Sequence, residues 1–90
     1  MPKFIIEREI PGIGKPSAEQ LSAMSRASCA AIEKVGPQLQ WSQSYVTEDK
    51  LYCVYISPDE EDIREHARLG NIPANRISRV MAIIDPTSAE

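Results

Sequence analysis

Ninety residues make one domain with one small core, and so short a chain buries a modest share of its surface, which a partner subunit would increase. Hydrophobic residues at 42% beside charged residues at 26% fit a soluble globular domain, and no apolar run approaches the length of a membrane span. A formal net charge of -3, with ten Lys and Arg scattered along the chain, argues against a nucleic-acid partner, which needs a basic patch to neutralise phosphates.

In chain order, "KFIIEREI" (3–10) alternates partly and is rich in isoleucine, so it reads as a strand. "PGIGKP" (11–16) is a loop, and its spacing does not match a phosphate-binding GxxxxGK[ST] loop. "SAEQ" (17–20) is a capping box in which Ser17 and Gln20 satisfy each other's backbone N–H groups. The helix it opens runs to Val35, stops at Gly36-Pro37, and carries Leu21, Met24, Ser28, Ile32 and Val35 on its inner stripe. "LQWSQSYV" (39–46) reads as a second strand, "TEDK" (47–50) as a hairpin turn, and the almost wholly apolar "LYCVYISP" (51–58) as a central third strand. A second helix follows, with Ser57 as N-cap, Pro58 at the first helical position, Glu60 completing a capping box, and Gly70 as its stop. "NIPANR" (71–76) connects it, with room for one helical turn after Pro73, to a fourth strand "ISRVMAIID" (77–85); the tail "TSAE" is expected to fray.

This order is the α+β, ferredoxin-like βαββαβ unit: a four-stranded antiparallel sheet with two helices on one face, in a single domain over 1–90. The third strand places Tyr52, Val54 and Ile56 on one face and Leu51, Cys53 and Tyr55 on the other, and both sets are apolar. An uncovered apolar sheet face implies an interface, for which a homodimer packing sheet on sheet is the simplest solution.

The N-terminus lacks the apolar core of a signal peptide, so a cytoplasmic location is expected, with Cys29 and Cys53 as reduced, buried thiols. No CxxC pair is present, which argues against structural zinc.

Chemistry centres on His66, the single histidine. Positions 63, 66, 67 and 70 share a helix face, so His66 stands on the apolar stripe with Ile63 and Ala67 and points towards the sheet or its rim. Two readings stand side by side: a packed, hydrogen-bonded core histidine, and a pocket residue acting as metal ligand or proton carrier, with Asp62 orienting its second nitrogen. Other ligands would come from the strands, with Glu7 and Gln43 as candidates. Glu7 and Arg8 form a buried polar network if the first strand is an inner one; otherwise Glu7 and Glu9 face solvent and only Phe4, Ile6 and Ile10 are core. Trp41, Tyr45, Cys53 and Tyr55 are candidate walls of a small-molecule pocket between sheet and helices. No serine sits in a GxSxG setting, and nothing here supports nucleophilic catalysis.

The stretch "SYVTEDKLYCVYISPDEEDIREHARLGNIPANRISRV", with the closing "IDPTSAE", resembles a family of small bacterial proteins built on a domain of unknown function, one actinobacterial branch of which is described as nickel-binding. The likeness runs from "KFIIERE" to "IDPTSAE", and 44–76 is its most specific part. It implies a ferredoxin-like fold, a homodimer forming a dimeric α/β barrel, nickel (Ni2+) as the bound ion in that branch, and no established reaction. The histidine of "EHAR" corresponds to His66 and the early strand carboxylate to Glu7. The position before "SYV", often histidine in the family pattern, is Gln43 here, and an amide oxygen is a poorer nickel ligand than imidazole. The expected function is therefore binding of a divalent transition metal through His66, Glu7 and Gln43. The alternative is a small-molecule binder or enzyme of the dimeric α/β-barrel type, with His66 as acid or base.

Overall fold

The computed structural model describes residues 2–90. Four strands, β1 (Lys3–Glu9), β2 (Gln40–Val46), β3 (Lys50–Ile56) and β4 (Arg76–Arg79), form one sheet, with helices α1 (Ala18–Val35) and α2 (Glu60–Gly70). The sheet order is β2-β3-β1-β4 and every pairing is antiparallel, so the two most apolar strands are the inner ones. This is the ferredoxin-like arrangement expected from the element order.

Strand parity sorts the side chains. Phe4, Ile6 and Arg8 from β1, with Leu51, Cys53 and Tyr55 from β3, are buried against the helices. Ile63 of α2 completes this core together with Leu39. Odd positions of β1 and even positions of β3 lie on the other, open face, where Ile5 stands opposite Val54 and Glu7 opposite Tyr52.

α1 starts as its sequence dictates: Gln20 N–H donates to Ser17 Oγ at 3.1 Å, and Ser17 N–H to Gln20 Oε1 at 2.8 Å. It ends at Gly36, whose φ of 132° is strained for any residue with a side chain. Of its expected inner stripe, Met24, Ile32 and Val35 pack on the core and Ser28 is half-buried, but Leu21 is exposed and Ala31 is the residue fully covered. The first turns of α1 therefore stand off the sheet. Cys29, on this helix, is exposed and not buried as its type suggested.

α2 begins two residues later than expected. Its N-cap is Asp59, whose Oδ1 accepts from Glu61 N–H at 2.9 Å. Ser57 is spent on ending β3: it is fully buried, its N–H donates to the Pro2 carbonyl, and its hydroxyl lies 3.1 Å from Asp62 Oδ2. Gly70 is the last helical residue; the left-handed turn belongs to Asn71, with φ at 52°. No helical turn follows Pro73.

β4 is four residues long, where 77–85 was expected to be strand. Its partner runs out: Val80 N–H donates to the Lys3 carbonyl at 2.8 Å, and β1 starts there. Met81, Ile83 and Ile84 continue past the sheet with 86%, 70% and 82% of their surface exposed. In the tail, Pro86–Ala89 is a short 3₁₀ helix closed by a capping box between Asp85 and Ser88. No helix among the described residues is long and apolar enough to cross a membrane.

Candidate functional site

His66 is fully buried between α2 and the sheet. Its Nε2 lies 3.2 Å from Ser28 Oγ and 3.3 Å from the Ser28 carbonyl, and Nδ1 has no partner. A ring that donates from Nε2 to the carbonyl leaves Nδ1 as a lone-pair acceptor. Asp62 does not orient it, since that carboxylate faces Ser57. The Tyr55 ring lies 5.1 Å from the imidazole, and Tyr55 Oη is 3.5 Å from Ser28 Oγ. Burial pushes the His66 pKa down, the Arg8 charge pushes it further, and the Ser28 carbonyl partly opposes both. Burial likewise raises Tyr55, with the bond to Ser28 opposing it. Both side chains are neutral at pH 7.

Arg8 is a fully buried cation in the same layer. Its Nη1 donates to the Pro73 carbonyl at 2.7 Å and its Nε to the Cys53 thiol at 3.4 Å, while Nη2 has no partner. The guanidinium carbon sits 5.9 Å from the centroid of the Tyr55 ring, within cation–π range. The expected buried network of Glu7 and Arg8 is therefore half present: Arg8 is buried, but Glu7, its neighbour on the strand, lies on the opposite face.

Between the raised start of α1 and the sheet lies a cavity of about 310 Å³. Leu21, Met24, Trp41, Cys53, Tyr55 and Arg8 are among its walls. Trp41, Cys53 and Tyr55 thus line one pocket, as expected from their types. Tyr45 does not. Trp41 and Tyr45 have the same parity, but a bulge between Trp41 and Gln43 shifts the register, pairing Trp41 with Tyr55 and Gln43 with Val54. Trp41 turns to the helix side, where its Nε1 donates to Ser44 Oγ at 3.0 Å. Gln43 and Tyr45 stay on the open face, bonded to each other at 2.9 Å, with Tyr45 57% exposed.

Glu7 also lies on the open face, 3.8 Å from Lys50 Nζ and 4.0 Å from Arg76 Nε. The sheet therefore separates Glu7 and Gln43 from His66, and the three do not meet within one chain. Among the described residues, no group of three or more His, Cys, Asp or Glu is placed to hold a metal ion.

Residues 4–80 match a family described as nickel responsive protein, SCO4226-like. The crystal structure of SCO4226 from Streptomyces coelicolor A3(2) superposes with a TM-score of 0.75, covering 91% of this chain and 99% of that one at 17% identity, which establishes a shared fold. No curated protein matches the chain.

Proposed function

The chain belongs to the SCO4226-like family of nickel responsive proteins, and from that premise we propose a small binding protein that holds a low-molecular-weight organic ligand between α1 and the sheet. One observation carries this reading: the cavity is walled mostly by apolar side chains, with a few polar residues, Ser28, Tyr55 and Arg8 among them, in its lining. Binding is favoured over catalysis because the polar groups are engaged with one another: Ser28 with His66, and Cys53 with Arg8. The test uses the single tryptophan as reporter, since Trp41 lines the cavity. Benzyl alcohol, an uncharged probe, is expected to shift the Trp41 indole N–H resonance saturably. Ser25→Phe, which places a ring at the mouth from an exposed position on α1, is expected to abolish that shift. An equal shift in both proteins sinks the pocket reading.

Nickel bound directly is the second reading, and His66 has the right donor chemistry for it: a neutral imidazole with an unpartnered Nδ1. The remaining donors do not fit. Nickel favours nitrogen, whereas Glu7 and Gln43 offer oxygens on the far side of the sheet, and Glu7 is already held by Lys50 and Arg76. His66, Glu7 and Gln43 are therefore not one coordination shell. Glu7 and Gln43 come into play for nickel on the open face, where a second copy of the chain packing sheet on sheet would bring in a second set. The exposure of Ile5 and Tyr45 there supports that pairing. Calorimetric titration of chelator-treated protein with nickel is expected to give weak binding that His66→Ala leaves unchanged. Gln43→His is expected to tighten it by about tenfold or more, by supplying imidazole nitrogen. Tight binding lost in His66→Ala would restore the histidine as the ligand, and sedimentation of these samples as monomers throughout would remove the shared face.

A further inference from the structure

The cavity holds one feature that an apolar pocket does not need, a buried cation. Arg8 is fully buried, yet among the described residues no acidic side chain lies within salt-bridge distance of it. A buried charge of this kind is ordinarily paired. A carbonyl, a thiol and the face of Tyr55 compensate it only in part, and Nη2 is left without an acceptor. Arg8 is also one of the residues lining the cavity, though its guanidinium has no accessible surface, so a counter-charge in the cavity reaches Nη2 once the lining side chains part.

We propose that the cavity binds a small monocarboxylate with an apolar or aromatic body, and that its carboxylate is the counter-ion of Arg8. This rests on the pocket reading above and names its ligand class. Three observations narrow the chemistry. Arg8 is the single charged residue of the lining, so one negative charge is balanced and a dianion such as phosphate is not. Two of its three nitrogens are already donating, which leaves Nη2 for one carboxylate oxygen; Tyr55, another lining residue, whose hydroxyl has only a long 3.5 Å contact to Ser28 Oγ, is the group to serve the other. The remaining wall, with Ile10, Leu21, Met24, Trp41 and Leu51, is apolar, and a volume of about 310 Å³ suits a single ring or a short branched chain.

The experiment compares phenylacetate, phenylacetamide and benzyl alcohol on the same protein, read at the Trp41 indole resonance. The acid and the amide have nearly the same shape, so the comparison isolates charge without any mutation. Phenylacetate is expected to bind about tenfold or more tightly than phenylacetamide, the order of one charge-assisted hydrogen bond. Arg8→Met keeps the apolar stem and removes the charge; it is expected to abolish that preference, and a cooperative urea transition shows that the variant is folded. Equal affinity for acid and amide overturns the carboxylate assignment and leaves the pocket standing. Failure of all three probes to bind overturns the pocket and the assignment together.

Discussion

Ile63→Ala is expected to destabilise the fold by about 2–5 kcal/mol, the range for truncating a fully buried isoleucine. Ile63 has no exposed surface and is the residue by which α2 enters the core, among Phe4, Ile6, Leu39, Leu51, Cys53 and Tyr55. A small domain holds a margin of about 5–15 kcal/mol, so the loss removes a large part of it. Two terms add: the transfer free energy of the deleted carbons, and the void left where sheet and helix cannot close. Leu21→Ala provides the contrast. Leu21 lies on the same apolar pattern of its own helix but is 38% exposed, beside an existing cavity, and its loss is expected to cost under about 1 kcal/mol. Urea denaturation of the two variants checks both values. Equal costs would mean that the start of α1 is seated on the sheet as deeply as α2.

Stability is also expected to fall with acid through His66. The imidazole is buried beside the Arg8 cation, and both press its pKa below the ordinary 6.5. The unfolded chain therefore takes up its proton first as pH falls. The histidine's contribution is fully present above the unfolded pKa and is lost progressively as pH drops from there through the lowered folded value. Denaturant midpoints measured at pH steps from 8 down to 5 are expected to decline below about 6.5. His66→Gln, which keeps a polar side chain near Ser28 without a titrating proton, is expected to flatten that part of the profile. A wild-type midpoint unchanged across this window would show that the imidazole is not held neutral by burial. Arg8→Met acts on the same window from the other side: removing the neighbouring charge is expected to reduce the acid sensitivity without eliminating it, because burial is the larger cause.

The two faces of the sheet explain where sequence reasoning about the site succeeded and where it failed. Cys53 and Tyr55 were assigned to a pocket on residue type, and they do share a face because β3 is regular along its length. The same reasoning from type grouped Trp41 with Tyr45, and one extra residue at the bulge put them on opposite faces. A bulge has no reliable mark in "WSQSYV", so the open-face positions of Gln43 and Tyr45 did not follow from the pattern. The grouping of His66 with Glu7 and Gln43 failed for a related reason. Adjacent residues of a strand point to opposite faces, so if Arg8 is buried with Phe4 and Ile6, Glu7 is not.

By itself, the sequence determined the elements and their order, because those depend on local signals: the Ser17–Gln20 box, the glycine after Val35, the apolar runs of β1 and β3, and the apolar stripe that carries His66. That order is enough for the ferredoxin-like sheet, and the superposition on the SCO4226 crystal structure agrees with it. Tertiary structure alone decided the ends and the partners. Ser57 could cap α2 or close β3, and burial under Asp62 chose the second. "ISRVMAIID" could run as a full strand, and the first residue of β1 decided where it stopped. Arg8 could pair with an acid or stand alone, and only the packed chain shows its third nitrogen without a partner beside a cavity. Each of these is a contact between residues distant in sequence, and such contacts are set by which surfaces meet when the core closes.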